Sequence, residues 1–492
     1  MKKIIFAFTI LLFFGCKTSK EIKKPVFTEL TNLIDKYASE TLQKNNINSL
    51  AIAVYKNDNF YHNYYGEIDK NAGNKPNDST LFEIASISKV FLGSLVAKAV
   101  LEYKLTLNDD IRMYLKGDYA NLEFEGTPIT IKNLLTHTLG FKNKNPKGLV
   151  EFNKKVKSGY YEKNNEPYNY NINDFLNELK NSKLNKKPGT FYQYNSVGPE
   201  LLAYILEQVY NKSYKSLLKK FFIKLEMNNT YLNDYSKIRN RIANGYKGDT
   251  LMPLERNPLL GGTAGIVTTL PDLSKFMKFQ LKSKNSLIKE STTKLFDNND
   301  GDELGYLWEV GEAKEEGFYY LKSGTSKGIQ SVILICPDTN YGFILIANNT
   351  SDKAFNNWVN LYYSIENNLI KYPKMNLVAL LEKDLLSNTD KAIKKYKKLI
   401  VEENAYYTNA TDLNNLGYKL LNAEKNKEAI SIFKLLVLEF SDNYNAYDSL
   451  GEAYFKNKDY KKALLNYNKS LELYPNNSNA KKYINKINKI EG

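Results

Sequence analysis

Apolar and polar positions change their spacing along the chain, and each spacing predicts a different element. From Phe27 to about Gln43 the apolar residues recur at helical intervals. Two runs of strand type follow, Ser49–Lys56 and Phe60–Tyr65, and the turn signal Asn57-Asp58-Asn59 joins them. The segment from Phe82 to Leu101 is apolar almost all round, which is typical of a buried helix.

Strand patterns return late in the chain. Phe318–Leu321, Ile329–Cys336 and Tyr341–Asn348 are predicted as strands, and a helix is predicted from Lys353 to Ile370. Helices at both ends and a late run of antiparallel strands predict an α+β fold for residues 27–370. In such a fold helices flank an antiparallel sheet.

The last part of the chain repeats itself. The set Leu416-Gly417, Ala429 and Phe433 recurs as Leu450-Gly451, Ala463 and Tyr467, a shift of 34 residues each time. This period is the signature of helix-turn-helix repeats, in which small residues let two helices approach and an aromatic ring fills the gap. The segment from Ala410 to Pro475 therefore resembles the tetratricopeptide repeat.

Flanking residues extend this array. Ala392 and Tyr396 indicate a degenerate repeat before it, and Asn479 to Ile490 a capping helix. Residues 371–492 are thus predicted to form an all-α repeat domain of about three units, near the minimum for a stable stack. Such a domain is either a groove for a protein partner or a spacer, and the type of repeat favours the partner.

The beginning of the sequence is typical of a bacterial export signal. Lys2 and Lys3 precede an apolar run, Ile4 to Phe14, that is too short to span a bilayer as a helix. Gly15-Cys16 follows, which resembles the cleavage site of bacterial lipoproteins. The resemblance implies a signal peptide over residues 1–15, a lipid on Cys16 and a linker over residues 16–26. We therefore expect an exported protein of the bacterial cell envelope, anchored to a membrane by lipid alone.

Composition argues against a nucleic-acid partner, a zinc site and a disulfide. The 492 residues carry a formal charge of +15, but the lysines are scattered and form no basic stripe, so no nucleic-acid partner is expected. The two histidines, His62 and His137, have no His or Cys at ligand spacing, which argues against a zinc site. With Cys16 acylated, Cys336 has no disulfide partner, and its strand pattern predicts a small core residue.

Ser86 is the strongest candidate for a nucleophile. It opens Ser86-Ile87-Ser88-Lys89 at the start of a buried helix, where a serine and a lysine three residues apart share one face. The helix N-terminus adds backbone donors, and burial would lower the pKa of Lys89 so that it can share a proton with Ser86. The Ser-x-x-Lys pattern alone is weak here, since it also begins at Ser216, Ser286, Ser291, Ser431 and Ser478.

Longer segments carry a family resemblance. Residues 82–89 (FEIASISK), 129–140 (ITIKNLLTHTLG) and 262–268 (GTAGIVT) resemble serine β-lactamases of class C and the related D,D-peptidases and esterases. The resemblance covers roughly residues 27–370. It implies the β-lactamase/D,D-peptidase-like fold and acyl-enzyme chemistry with no metal or organic cofactor. In that family the histidine at the position of His137 is structural.

The resemblance also assigns a proton-transfer group. The family carries Tyr-x-Asn after Pro-Gly, which places Tyr194, downstream of Pro188-Gly189, as general base or acid. Nearby cations would favour its phenolate. Tyr192 is the competing phenol, and the spacing from Pro188-Gly189 favours Tyr194. The third position of the motif is Ser196 and not Asn, so substrate choice and β-lactam turnover are left open.

A further element binds substrate in the family. Lys322-Ser323-Gly324-Thr325 resembles the family's Lys-Thr-Gly strand beside the nucleophile. The resemblance implies that Lys322 supplies positive charge to the site or to a substrate carboxylate. It also implies that the backbone amides of Thr325 and Ser86 form the oxyanion hole. Gly324 would leave room for a close backbone approach.

Two other motifs are rejected on their context. Gly324-Thr-Ser326-Lys-Gly328 matches the nucleophile elbow of α/β-hydrolases, but that elbow leads from strand to helix, whereas a strand is predicted from Ile329. Ser441-Asp442-Asn443 matches a class A β-lactamase motif but falls in the loop between helical repeats.

The sequence therefore predicts a serine hydrolase that forms an acyl-enzyme from a D-amino-acid peptide, a β-lactam or a small ester. Lys322 favours a substrate that bears a carboxylate. The alternative is a scaffold of the same fold with little or no turnover, whose main work is to bind a protein partner through its repeats. Ser196 supports that alternative, and the joint presence of Ser86, Lys89, Tyr194 and Lys322 speaks against it.

Overall fold

The chain folds into two compact units. The computed structural model describes residues 27–491 apart from 159, 161–163, 165–168, 234, 255–256 and 298–302. One unit comprises residues 31–370, and the other comprises residues 371–491 together with 27–30. The predicted signal peptide and the predicted lipidation site at Cys16 lie outside the described residues.

The described strands are mostly short, and the long ones belong to one sheet. They are β1 (Ser49–Lys56), β2 (Asn59–Gly66), β3 (Leu81–Glu83), β4 (Glu123–Phe124), β5 (Thr127–Pro128), β6 (Thr230–Leu232), β7 (Gly245–Lys247), β8 (Thr250–Met252), β9 (Ile266–Thr269), β10 (Phe296–Asp297), β11 (Glu303–Leu304), β12 (Glu309–Ala313), β13 (Gly317–Thr325), β14 (Gln330–Cys336), β15 (Tyr341–Ala347), β16 (Met375–Asn376) and β17 (Tyr406–Tyr407).

Eight of these strands form the main sheet, in the order β10-β11-β12-β13-β14-β15-β1-β2. Every neighbouring pair in it is antiparallel. A smaller sheet has the order β3-β9-β6, and its strand β3 ends three residues before Ser86.

Helices alternate with these strands up to β15, and almost all of the elements after β15 are helices. They are α1 (Phe27–Gln43), α2 (Ser88–Leu101), α3 (Ile131–Leu135), α4 (Lys147–Lys157), α5 (Ile172–Leu179), α6 (Val197–Tyr210), α7 (Tyr214–Lys224), α8 (Leu270–Gln280), α9 (Ser286–Ser291), α10 (Asp352–Lys371), α11 (Leu377–Ser387), α12 (Thr389–Leu399), α13 (Ala410–Asn422), α14 (Asn426–Glu439), α15 (Tyr444–Lys456), α16 (Tyr460–Leu473) and α17 (Ser478–Glu491). Within the described part of the chain, none of them is both long and apolar enough to cross a bilayer.

Helices cover both faces of the main sheet. β14 and β15 are buried along their whole length. At Gly342 a Cβ would lie 3.2 Å from Met277 of α8, whereas the ring of Phe343 lies 5.1 Å from that of Tyr362 in α10. Because successive strand residues point to opposite faces, α8 and α10 lie on opposite sides of the sheet. The predicted α+β fold, an antiparallel sheet flanked by helices, is confirmed.

The predicted helix from Phe82 to Leu101 is wrong at its start. Leu81–Glu83 form β3, and a 3-10 turn over Ala85–Ile87 leads into α2 at Ser88. Ala85 has a φ of 44°, which a regular helix excludes. A buried strand and a buried helix are both continuously apolar, so hydrophobic spacing could not separate them.

The structure agrees with the rejection of the two motifs, since one lies between two strands and the other between two helices of the repeats. β13 continues through Thr325 and pairs with β14 at Gln330, so Ser326 lies in a strand-to-strand connection. Its Oγ donates to Glu83 Oε2 at 3.0 Å. Residues 441–443 lie between α14 and α15. Cys336 is fully buried in β14, as expected for a core residue.

The second unit is a stack of helix pairs. Gly417 of α13 faces the ring of Phe433 in α14, and Gly451 of α15 faces the ring of Tyr467 in α16. These are the residues that recur at the 34-residue period, so the period reports the contact between the two helices of each pair. Ala392 is buried in α12, and α17 follows the last pair.

Gly417→Ala should destabilise the repeat unit more than Gly451→Ala does. A Cβ at Gly417 would lie 2.4 Å from the Phe433 ring, against 3.0 Å from the Tyr467 ring at Gly451. Overpacking costs about 1–3 kcal/mol, whereas the change from glycine to alanine in a helix gains up to about 1 kcal/mol. Urea unfolding followed by circular dichroism measures both, and equal effects would contradict the difference in packing.

Candidate active site

Ser86 lies in the turn that joins β3 to α2. Its neighbours Ala85 and Ile87 are buried, while Ser86 itself is half-buried and reaches solvent. β13 passes close to this turn at Gly324, where a Cβ would lie 2.3 Å from Ile84 O and 3.1 Å from Ser86 N. Only glycine allows this approach, which brings the strand against the backbone of Ser86.

Lys89 lies one turn further on and is fully buried. Its Nζ donates to Ser86 Oγ at 3.1 Å and to the carbonyl oxygen of Thr263 at 2.7 Å. A buried ammonium needs such acceptors to offset the loss of hydration. The spacing of Ser86 and Lys89 therefore gives the contact that the sequence predicted.

Glu200 holds the loop that carries Thr263, and the sequence analysis did not identify it. Its buried carboxylate accepts from Asn257 Nδ2 at 2.7 Å and from the backbone N–H groups of Thr263, Leu260 and Gly261 at 2.8, 3.1 and 3.2 Å. This carboxylate fixes the acceptor for Lys89. A lone Glu in the first turn of the apolar helix α6 was the available signal, and it is shared with many ordinary helices.

The segment around His137 positions Tyr194. The N–H of Gln193 donates to His137 O at 2.9 Å, and the N–H of Asn195 donates to His137 Nδ1 at 3.4 Å. The imidazole lies 4.6 Å from the Tyr194 ring, centroid to centroid. Burial, with Lys322 and Lys89 nearby, holds the pKa of His137 well below its usual value. The ring is therefore neutral. It positions Tyr194 by packing against the Tyr194 ring and by accepting from the Asn195 N–H.

Tyr194 donates from its OH to Ser86 Oγ at 2.7 Å. Burial on its own would raise the pKa of Tyr194, but the ammonium groups of Lys89 and Lys322 outweigh burial and lower it to about 8. The ring of Tyr192 lies 6.3 Å from that of His137. Tyr194 is thus the phenol that the structure places on the Ser86 hydroxyl.

Lys322 is buried in β13 and forms an ion pair with Glu309 at the start of β12. The distance between Lys322 Nζ and Glu309 Oε1 is 3.0 Å. Burial favours a lower pKa for Lys322, but Glu309 and Tyr194 outweigh it and raise the pKa above its usual value. The sequence analysis did not identify Glu309, because the pairing of two strands across a turn leaves no local pattern.

Ser196 is held by its backbone beside this cluster. Its N–H donates to Asn145 Oδ1 at 3.0 Å, and its carbonyl accepts from Thr263 Oγ1 at 3.2 Å. The side chain of Asn195 is occupied within its own turn and accepts from the Gly198 N–H at 2.9 Å. Thr325 ends β13 with its side chain exposed. Of the predicted site residues, Lys89 and Tyr194 thus contact Ser86 Oγ, and Gly324 lies against the Ser86 backbone. Lys322 lies near the Tyr194 ring, Thr325 follows Gly324 in β13, and Ser196 is linked to the cluster through Thr263.

This arrangement can transfer a proton to and from a serine hydroxyl. Ser86 Oγ accepts from an amine and from a phenol whose pKa is near neutrality, which are the groups needed to activate a nucleophile. Over the described residues, no group of three or more His, Cys, Asp or Glu side chains is placed to hold a metal ion.

Comparison with known families decides the identity of the larger unit. The sequence profile of the beta-lactamase family matches residues 34–361, which is about two thirds of the chain. The chain belongs to the beta-lactamase family. A tetratricopeptide repeat profile matches residues 444–477 of the same chain.

Individual relatives agree with this membership of the beta-lactamase family. Protein flp of Staphylococcus aureus (strain N315) is 28% identical over 341 residues, which are 66% of this chain and 65% of flp, so the chain spans a little under two thirds of that relative. The D-alanyl-D-alanine-carboxypeptidase/endopeptidase AmpH of Escherichia coli (strain K12) is 22% identical over 358 residues, 69% of this chain and 89% of AmpH.

A solved structure shows the same beta-lactamase fold. The beta-lactamase/D-alanine carboxypeptidase from Yersinia pestis, crystallised with citrate, superposes with a TM-score of 0.60 at 20% identity. The alignment covers 70% of this chain and 99% of the Yersinia chain. At this identity the likeness concerns the fold.

In this beta-lactamase family member, Tyr194→Phe should remove one phenolate that forms near pH 8. The cations lower the pKa of Tyr194, so its phenolate forms at lower pH than that of an ordinary tyrosine. The difference in near-ultraviolet absorbance between wild type and variant, followed against pH, measures the formation of this phenolate.

Lys322→Met should move the ionisation of Tyr194 to higher pH, because one of the charges that stabilise the phenolate is gone.

Tyr214→Phe is the matched control for this titration. Burial raises the pKa of Tyr214 well above the usual value, so its loss should leave the step near pH 8 in place. Superimposable titrations of the wild type and Tyr194→Phe would contradict the electrostatic account of the site.

Proposed function

We propose that this chain is a serine hydrolase that acts through an acyl-enzyme on an amide or ester, with Ser86 as the nucleophile. The observation that carries the proposal is the double hydrogen bond to Ser86 Oγ, from Lys89 Nζ at 3.1 Å and from Tyr194 OH at 2.7 Å. A hydroxyl that contacts both an ammonium and an acidified phenol can pass its proton to the phenolate, which the ammonium stabilises.

In the acylation step, Ser86 Oγ forms a bond to the substrate's carbonyl carbon and gives its proton to the Tyr194 phenolate, which the Lys89 ammonium stabilises. The bond to the leaving group then breaks, and the leaving group takes that proton. Water repeats the sequence on the acyl-enzyme, which releases the acid and restores Ser86. The mechanism uses no metal and no organic cofactor.

The oxyanion of each step needs two backbone donors. Gly324 allows β13 to lie against Ser86 N, and Thr325 is the next residue of that strand. We assign the amides of Ser86 and Thr325 to the oxyanion on this basis. Ser196 is assigned to substrate binding and is shorter than the Asn that the family carries there, and Lys322 is assigned the supply of positive charge to the site.

The names of two relatives suggest substrates for this chain. AmpH is a D-alanyl-D-alanine-carboxypeptidase/endopeptidase, and the Yersinia protein is a beta-lactamase/D-alanine carboxypeptidase. A D-amino-acid peptide, a β-lactam and a small ester all fit the proposed chemistry, and the fold does not choose among them. Protein binding through the repeats of residues 371–491 is proposed as a second activity, supported by the repeat fold.

Ser86→Ala should abolish covalent labelling of the protein by a fluorophosphonate and by a fluorescent penicillin. Both reagents trap a nucleophilic serine, and intact mass of protein that begins at Lys17 reports the adduct. Labelling by the penicillin would show recognition of β-lactams, and labelling by the fluorophosphonate alone would show general esterase character.

Ser326→Ala is the matched control for this labelling. It removes the serine of the rejected elbow motif, whose Oγ contacts Glu83, and it should still be labelled when folded. A folded wild type that neither reagent labels would contradict the hydrolase proposal and favour a binding scaffold.

We also propose that Cys16 carries a lipid that anchors the exported protein to the cell envelope, as the order of residues 1–20 suggests. Cys16→Ser should then move the protein from the membrane fraction of a bacterial host to the soluble fraction. The mass of the purified N-terminal peptide checks the modification. An unmodified Cys16 in membrane-bound protein would contradict the anchor.

A further inference from the structure

Three lysines surround the ring of Tyr194, and the structure holds them in different ways. The ammonium groups of Lys89, Lys322 and Lys144 lie 5.1, 5.3 and 5.5 Å from the ring centroid. Lys89 and Lys322 are buried, whereas Lys144 is exposed. The three therefore have different capacities to bind a charged group that arrives from solvent.

Lys322 already has a carboxylate partner. Glu309 Oε1 lies 3.0 Å from its ammonium, and the Glu309 side chain is 37% exposed while that of Lys322 is 5% exposed. A substrate carboxylate that approached Lys322 would come close to Glu309, and two like charges about 4 Å apart repel even in water. The charge of Lys322 thus already interacts with Glu309 and with Tyr194 inside the protein.

Lys144 has no such partner among the described residues. It lies in the loop ahead of α4, and the next residue, Asn145, accepts from the Ser196 N–H at 3.0 Å. That bond ties the backbone of the loop to the site, and the exposed ammonium of Lys144 lies 5.5 Å from the Tyr194 ring centroid.

We propose that Lys144, and not Lys322, is the cation that binds a carboxylate of the substrate. The inference rests on the proposed function and deepens it, because it names the substrate class as esters or amides that carry a carboxylate near the scissile bond. Lys322 then acts as a positioning residue through its charge on Tyr194.

Two matched pairs of esters test the assignment on either side of the scissile bond. 3-Carboxyphenyl acetate and phenyl acetate differ by a carboxylate on the leaving group. The 4-nitrophenyl monoester of glutaric acid and 4-nitrophenyl pentanoate differ by a carboxylate on the acyl group. The quantity measured is the ratio of kcat/KM for the charged ester to that for the neutral ester.

Lys144→Gln should lower this ratio about fivefold in at least one pair, which corresponds to the roughly 1 kcal/mol between two unit charges 4 Å apart in water. Lys142→Gln removes an exposed lysine of the same loop and should leave the ratio unchanged. Lys322→Gln should change both members of a pair alike and shift their pH profiles, because it acts through Tyr194.

The outcomes separate the two proposals. A wild type that cleaves the esters, with a ratio that Lys144→Gln leaves unchanged in both pairs, would overturn the role of Lys144 alone. A ratio that falls in Lys322→Gln and not in Lys144→Gln would return the carboxylate site to Lys322. A folded wild type that cleaves none of the esters would contradict the proposed function, and the inference would fall with it.

Discussion

The burial of one ammonium group, that of Lys89, is the constraint on which the site depends. An ionised lysine without water needs hydrogen-bond acceptors, and two of those around it come from Ser86 and Thr263, which are far apart in the sequence. Thr263 stays in place because the buried carboxylate of Glu200 holds its loop. Helix α2, the loop before β9 and helix α6 are therefore joined through two buried charges, those of Lys89 and Glu200.

The same electrostatics sets the state of Tyr194. Burial opposes its phenolate, and the neighbouring ammonium groups favour it more strongly, so the pKa of this phenol falls to about 8. Glu309 keeps Lys322 charged in spite of its burial. Glu309 contacts Lys322, and the charge of Lys322 in turn helps to lower the pKa of Tyr194.

The sequence predicted the parts of the site that carry a local spacing or a motif that resembles one of the family. Ser86 and Lys89 are three residues apart, and Tyr194 follows a recognisable Pro-Gly turn. The break between β3 and α2 was missed because β3 and most of α2 are buried, and a buried strand and a buried helix have similar hydrophobic patterns. Glu200, Glu309 and Lys144 were missed for another reason. Each acts through contacts between distant segments, and such contacts leave no period or motif in a single sequence. Glu309, the ion-pair partner of Lys322, could be identified only from the pairing of β12 with β13.

The rate of Ser86 phosphonylation as a function of pH, in wild type and in Tyr194→Phe, tests the central claim most directly. If the phenolate takes the proton of Ser86, the wild-type rate rises with pH through a midpoint near 8. The variant should then lose this rise and react about 100- to 10,000-fold more slowly. A variant that keeps the wild-type rate and pH profile would contradict the claim that Tyr194 activates Ser86.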